Sequence, residues 1–146
     1  MSDVRDPDQA RAAVQPIIVV GVDLVEQRRV VETHARFGER FLAKVFTQRE
    51  REQARGRIAR LAGRFAAKEA CAKALGTGIG RDAGWHEIEI VRLPGGKPSL
   101  ELHGRAAERA RALGISELDV SISDTHEHAL AVVVGVRIPT NGSDLP

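Results

Sequence analysis

The sequence predicts an α+β fold, with a small, mainly antiparallel sheet packed on one long central helix, and three observations carry that prediction. Ile58, Leu61, Ala62, Phe65, Ala72 and Leu75 recur at helical spacing, and Gly76 follows them as a helix-ending glycine. Apolar and polar residues alternate instead at 86–91, 99–102, 118–123 and 129–138, as strands with one buried face do. In chain order the segments run strand, helices, hairpin, helix, hairpin.

Taken in that order, 19–24 reads as a buried strand because Ile17-Ile18-Val19-Val20-Gly21-Val22 is continuously apolar. Asp23 closes this run, and with Glu26 three residues on it has the form of a capping box opening a helix over 24–37. A short amphipathic piece at 41–46 follows. Thr47 and Glu50 then repeat the capping signature, and the central helix is expected over 57–75. Pro94-Gly95-Gly96-Lys97-Pro98 is the turn of the first hairpin, 104–113 is an alanine- and arginine-rich helix, and Asp124 to His128 join the last two strands. Residues 1–15 and 139–146 lack periodicity and are expected to be mobile ends around a single domain at 16–138.

Composition narrows the function. With 146 residues, 42% of them hydrophobic, the chain has no apolar run near the roughly eighteen residues of a membrane span. The first fifteen residues carry no signal-peptide core, so a cytoplasmic protein is expected. Its one cysteine, Cys71, cannot form an internal disulfide and sits among helical alanines as a packing residue. Formal charge is only +2, yet arginines gather between Arg28 and Arg64, a local positive surface suited to an acidic partner or a phosphate-rich ligand. A nucleic-acid-binding module would also use those arginines, but 3% aromatics give little to stack bases on and 20 acidic residues dilute the charge.

One residue breaks the pattern of the central helix. Glu69 lies four after Phe65 and three before Ala72, on the apolar stripe, where a carboxylate needs a cation. Lys73, one turn on, could supply it as a structural pair. Alternatively Glu69 and Asp23 together are the two acids that a hard divalent cation with phosphate ligands would use. Gly76-Thr77-Gly78-Ile79-Gly80 follows a helix rather than a strand, so it is a cap and turn, or a loop whose amides approach a ligand, and not a dinucleotide fingerprint. Asp124, His126, Glu127 and His128 offer metal-ligand types without a third partner that the sequence nominates, and Ser121 and Ser123 lack a glycine-framed elbow. Arg28, Arg29, Arg36 and Arg40 fall near one side of the first helix, by themselves a solvated face.

Together, Gly21-Val22-Asp23, Gly63-Arg64-Phe65-Ala66-Ala67-Lys68-Glu69-Ala70, Lys73-Ala74, the Gly76 to Gly80 loop, Gly96-Lys97-Pro98 and Val120-Ser121-Ile122-Ser123 closely resemble holo-acyl-carrier-protein synthase, the short, trimeric class of 4'-phosphopantetheinyl transferases. That resemblance implies the fold of those enzymes, a homotrimer with shared active sites, and Mg²⁺-dependent transfer of 4'-phosphopantetheine from coenzyme A to a serine of an acyl carrier protein. It implies Asp23 and Glu69 as the Mg²⁺ acids, Lys73 beside the coenzyme pyrophosphate, and Gly76, Gly78 and Gly80 in the wall of its cleft. Arg64, Lys68, Gly96, Lys97 and Pro98 match positions near the nucleotide end. Arg29, Arg36 and Arg40 match the helix that meets the carrier protein. Many members have histidine where this chain has Asp124, as some others do, and His126 cannot take that place because two strand residues span about 6–7 Å. The general base is then Glu69 first and Asp124 second. A non-catalytic relative that only binds carrier protein shares all of these features.

Overall fold

The computed structural model describes residues 14–139. The mobile ends expected at 1–15 and 139–146 fall almost wholly outside that range. Two antiparallel sheets carry the strands. β1 (Ile17–Glu26), β5 (His128–Arg137) and β4 (Ile115–Asp124) form one, in the order β1-β5-β4, while β2 (Ile88–Arg92) and β3 (Pro98–Leu102) form a separate hairpin. Between β1 and β2 come α1 (Gln27–Phe37), α2 (Glu39–Val45), α3 (Gln48–Ala54) and α4 (Ala59–Ala74), and α5 (Gly104–Ala112) links β3 to β4.

The expected α+β class and the helix against the sheet are both present. α4 lies across β1 and β5, and Ala66, Ala70 and Ala74 on it join Val120, Ala131 and Val133 of the sheet in the main core. Small side chains let helix and sheet approach closely. At the N-terminal end a second cluster of Leu42, Val45, Phe46, Ala54 and Leu61 holds α2 and α3 on α4.

The structure corrects the start of the chain. Asp23 does not cap a helix: β1 continues to Glu26, with Asp23 opposite Ala131 and Glu26 opposite His128, and α1 begins at Gln27 with no side-chain cap. Ten residues of pairing with β5 hold this segment extended, which a helix opening at Leu24 would forfeit. Nor is β1 buried on both faces. Ile18, Val20, Val22 and Leu24 are each half exposed or more, because α4 covers only the side facing Gly21 and Asp23. The second capping signature is real: Glu50 N donates to the Thr47 hydroxyl and Thr47 N to the Glu50 carboxylate.

Candidate active site

Asp23 reaches the site from β1, and Glu69 and Lys73 from successive turns of α4. Lys73 Nζ donates to Asp23 Oδ1 at 3.1 Å and to the Val22 carbonyl at 2.9 Å, so the lysine is clamped to the strand rather than to Glu69. Among the described residues Glu69 makes no ion pair, and Lys73 acts on it only from a distance. Its carboxyl is pushed above the ordinary range by burial first and by the Asp23 charge second, with Lys73 opposing. Two carboxylates face a cleft of about 400 Å³ lined also by Arg29, Thr33, Phe41 and Phe65. A divalent cation fits this donor set, since it would remove the repulsion that Lys73 leaves uncancelled.

Phe41 and Phe65 give the cleft an apolar wall, and Phe65 stacks on Trp85 with ring centres 5.1 Å apart. Neither was singled out from the sequence as a site residue, because each also reads as core. Arg29 lines the same cleft, whereas Arg36 packs its guanidinium 5.0 Å from the centre of the Phe37 ring on the exposed part of α1. Arg40 is exposed on α2.

A second cleft of about 400 Å³ lies along the first turns of α4, lined by Gln53, Arg60, Arg64, Arg92, Ile122 and Asp124. Pro98 lines a small separate hollow that shares Arg60, Arg64 and Arg92 with it. Arg64 is held rigidly there, donating to the Ile90 carbonyl at 3.1 Å and to Gln53 Oε1 at 2.9 Å, and burial together with Arg92 lowers its pKa. Such a group of guanidiniums suits a phosphate. Arg60 was recoverable from the sequence by its i,i+4 spacing to Arg64; Arg92, on another element, was not. Asp124 lines this cleft and not the one that holds Glu69.

The remaining expected residues are placed elsewhere. Lys68 is fully buried, paired with Glu50 at 2.9 Å and donating to the carbonyls of Trp85 and Ile88. The amides of Gly76 and Gly78 turn back to the Lys73 and Ala72 carbonyls, and that of Gly80 to Ala83. With positive φ at Gly76 and Gly78, this is the helix cap and turn, its amides already engaged. Gly96 shapes the β2 to β3 turn, and Lys97 reaches Asp119 at 3.4 Å. His126 and His128 border a hollow with Glu26, Arg28 and Glu127. Elsewhere Glu89, Glu101 and His103 bring three ligand atoms within 4.8 Å of one another, but Arg49 bonds both carboxylates, at 2.9 and 3.0 Å, and is already the cation of that group.

Residues 19–133 match the model of the 4'-phosphopantetheinyl transferase superfamily. The chain belongs to that family. A holo-[acyl-carrier-protein] synthase of Maricaulis maris is 50% identical over 125 residues, covering 81% of this chain and 88% of the relative, and one from a Bradyrhizobium strain is 46% identical over 129 residues, covering 81% and 93%. Among solved structures, the synthase of Neisseria meningitidis superposes with a TM-score of 0.74 at 35% identity, covering 80% of this chain and 96% of that one. The Helicobacter pylori synthase, solved in complex with coenzyme A, gives 0.73 at 34%, covering 80% and 98%. The fold expected from the sequence is therefore the fold of this family.

Proposed function

We propose that this protein transfers 4'-phosphopantetheine from coenzyme A to a serine of an apo acyl carrier protein and does so in the Asp23, Glu69 and Lys73 cleft. The serine oxygen bonds to the β-phosphorus, the bond from that phosphorus to the bridging oxygen breaks, and adenosine 3',5'-bisphosphate leaves. Asp23 and Glu69 are the residues that would hold Mg²⁺, which when bound supplies charge stabilisation to the pyrophosphate. Lys73, anchored by Val22 and Asp23 but half exposed, keeps its ammonium at the cleft for the same developing charge. Glu69, whose carboxylate faces the cleft, takes the serine proton. Asp124, with Arg60, Arg64 and Arg92, belongs to the nucleotide side, where the arginines meet phosphate.

The observation that carries this reading is the uncancelled Asp23 and Glu69 pair in an open cleft of a family member. Arg29, Arg36 and Arg40 steer an acidic carrier domain toward it. A homotrimer is supported by the outer face of the main sheet, where Ile18, Val20, Val22 and Leu24 lie beside the exposed Leu130 and Val134 of β5, an apolar surface of the kind that copies of a chain bury. No helix among the described residues is long and apolar enough to cross a membrane. Incubation with coenzyme A, Mg²⁺ and a panel of apo carriers, followed by weighing the carriers, tests the transfer. A gain of one phosphopantetheine on at least one carrier is expected, and no gain on any would overturn it. Light scattering of the active sample reads the oligomer.

A further inference from the structure

We infer that Gly21 is a positioning residue that sets the distance between the two carboxylates, by allowing β1 to lie directly on the backbone of α4. Gly21 is buried opposite Val133 in the sheet, and its missing side chain faces the helix. A Cβ built there would stand 1.9 Å from the Ala70 carbonyl oxygen, 2.9 Å from the carbon of that carbonyl and 2.8 Å from Ala74 N. Those oxygen and nitrogen atoms are the two ends of one helical hydrogen bond. Any side chain at this position must break into that bond or lift the strand. Ordinary contact would require a withdrawal on the order of 1.5 Å.

The consequence falls on the cleft because of where Gly21 sits. Asp23 is two residues along and points to the same face of the strand, while Glu69 adjoins Ala70 on the helix. Lys73, which ties Asp23 and Val22 to the helix, adjoins Ala74. This tight contact of strand and helix thus lies within one turn of Asp23, Glu69 and Lys73. A shift of that size far exceeds the roughly 0.2 Å tolerance of metal-ligand distances. Alanines at 66, 70 and 74 keep the helix side of the seam equally thin.

This rests on the reading that Asp23 and Glu69 hold a divalent cation, and the test separates the two. Mn²⁺ is titrated into the protein with coenzyme A present, free Mn²⁺ is followed by electron paramagnetic resonance, and thermal midpoints are recorded in parallel. Gly21→Ala is expected to weaken Mn²⁺ binding by about tenfold to a hundredfold. Gly135→Ala is the matched control: its Cβ would meet Leu118 Cδ2 at 2.6 Å, the Glu117 carbonyl at 2.8 Å and the flexible end of Val19 at 2.9 Å, in the same sheet but outside the Asp23 and Glu69 cleft, so it should lower the midpoint and leave Mn²⁺ affinity unchanged. Wild-type affinity in Gly21→Ala, or an equal loss in Gly135→Ala, would overturn the positioning role. Asp23→Asn reports on the cation reading alone: if it binds Mn²⁺ as the native chain does, that reading fails whatever Gly21 does. Should Gly21→Ala not fold, Ala70→Ser adds one oxygen to the same seam from the helix side. A smaller loss of Mn²⁺ affinity is expected there, and none would overturn the inference.

Discussion

Lys68 and Glu69 are neighbours on one helix, opposite in charge, and the structure treats them in opposite ways. Lys68 is wholly enclosed, donating to Glu50 and two carbonyls, whereas Glu69 faces an open cleft beside another carboxylate while Lys73 is bound to that other carboxylate. Burial lowers the pKa of Lys68 and raises that of Glu69, so each is pushed toward its neutral form, but only Lys68 has a full set of partners. A satisfied buried ion pair is structure. An unsatisfied one at a cleft is a place for a ligand.

The largest effect should come from breaking the satisfied pair. Lys68→Met leaves the Glu50 carboxylate buried without its cation, and a loss of about 3–5 kcal/mol in urea unfolding is expected. The double variant Glu50→Gln with Lys68→Met should lose less than the single one, because no unpaired charge then remains inside. Equal losses would mean that packing rather than charge holds α3 and β2 to α4.

Glu69→Gln and Asp23→Asn should behave in the opposite way. Each removes one charge from a repelling pair, so the folded protein is retained and the thermal midpoint of Glu69→Gln is held or raised. Transfer should fall by about 10²–10³-fold, the scale of losing one preorganised electrostatic partner of the transition state. Steady-state turnover measured beside calorimetry checks both halves. Near-native turnover in both variants would remove the pair from the mechanism.

How far this contrast was legible in the sequence depends on the element. Glu69 announced itself because a carboxylate on an apolar stripe violates a local rule, and helical periodicity is read from one segment alone. Lys68 holds the same stripe, three after Phe65 and four before Ala72, but what satisfies it there is not local: its partner Glu50 belongs to α3, eighteen residues earlier. Its burial follows from α2, α3 and the β2–β3 hairpin closing over that side of α4, a tertiary fact. Asp23 was found but placed wrongly, since Asp23 and Glu26 fit a capping pattern while pairing with β5, more than a hundred residues later, decided the conformation. The arginine cleft shows the same limit: Arg60 and Arg64 share a helix, and Arg92 joins them only through the hairpin.

A third test concerns acid stability, at the other satisfied group. Burial alone would raise the pKa of Glu89, but the Thr47 hydroxyl, Arg49 and His103 outweigh it and hold the carboxyl below its usual 4.5. The sign follows: a depressed folded pKa contributes stability that is full above the unfolded value and is lost as pH falls through the folded one. Glu89→Gln should therefore lower the midpoint at pH 7 and flatten its decline toward acid. An unchanged acid limb would assign that decline to other carboxylates.

The smallest effect is expected at the rim, and it separates the carrier surface from the coenzyme clefts. Charge reversal at Arg29 and Arg36 should raise the KM for the carrier protein and leave that for coenzyme A nearly unchanged, by about 1 kcal/mol or less per exposed charge. Arg36 is the cleaner of the two, because it lies on the exposed side of α1 against Phe37, while Arg29 also borders the Asp23 cleft. Both effects should shrink at high salt, since screening at 0.1 M already acts over about 10 Å. Steady-state kinetics with each substrate varied in turn, at two salt concentrations, makes the distinction. If reversal at Arg36 weakened coenzyme A and spared the carrier, α1 would belong to the nucleotide side, and the carrier would have to approach from elsewhere around the Glu69 cleft.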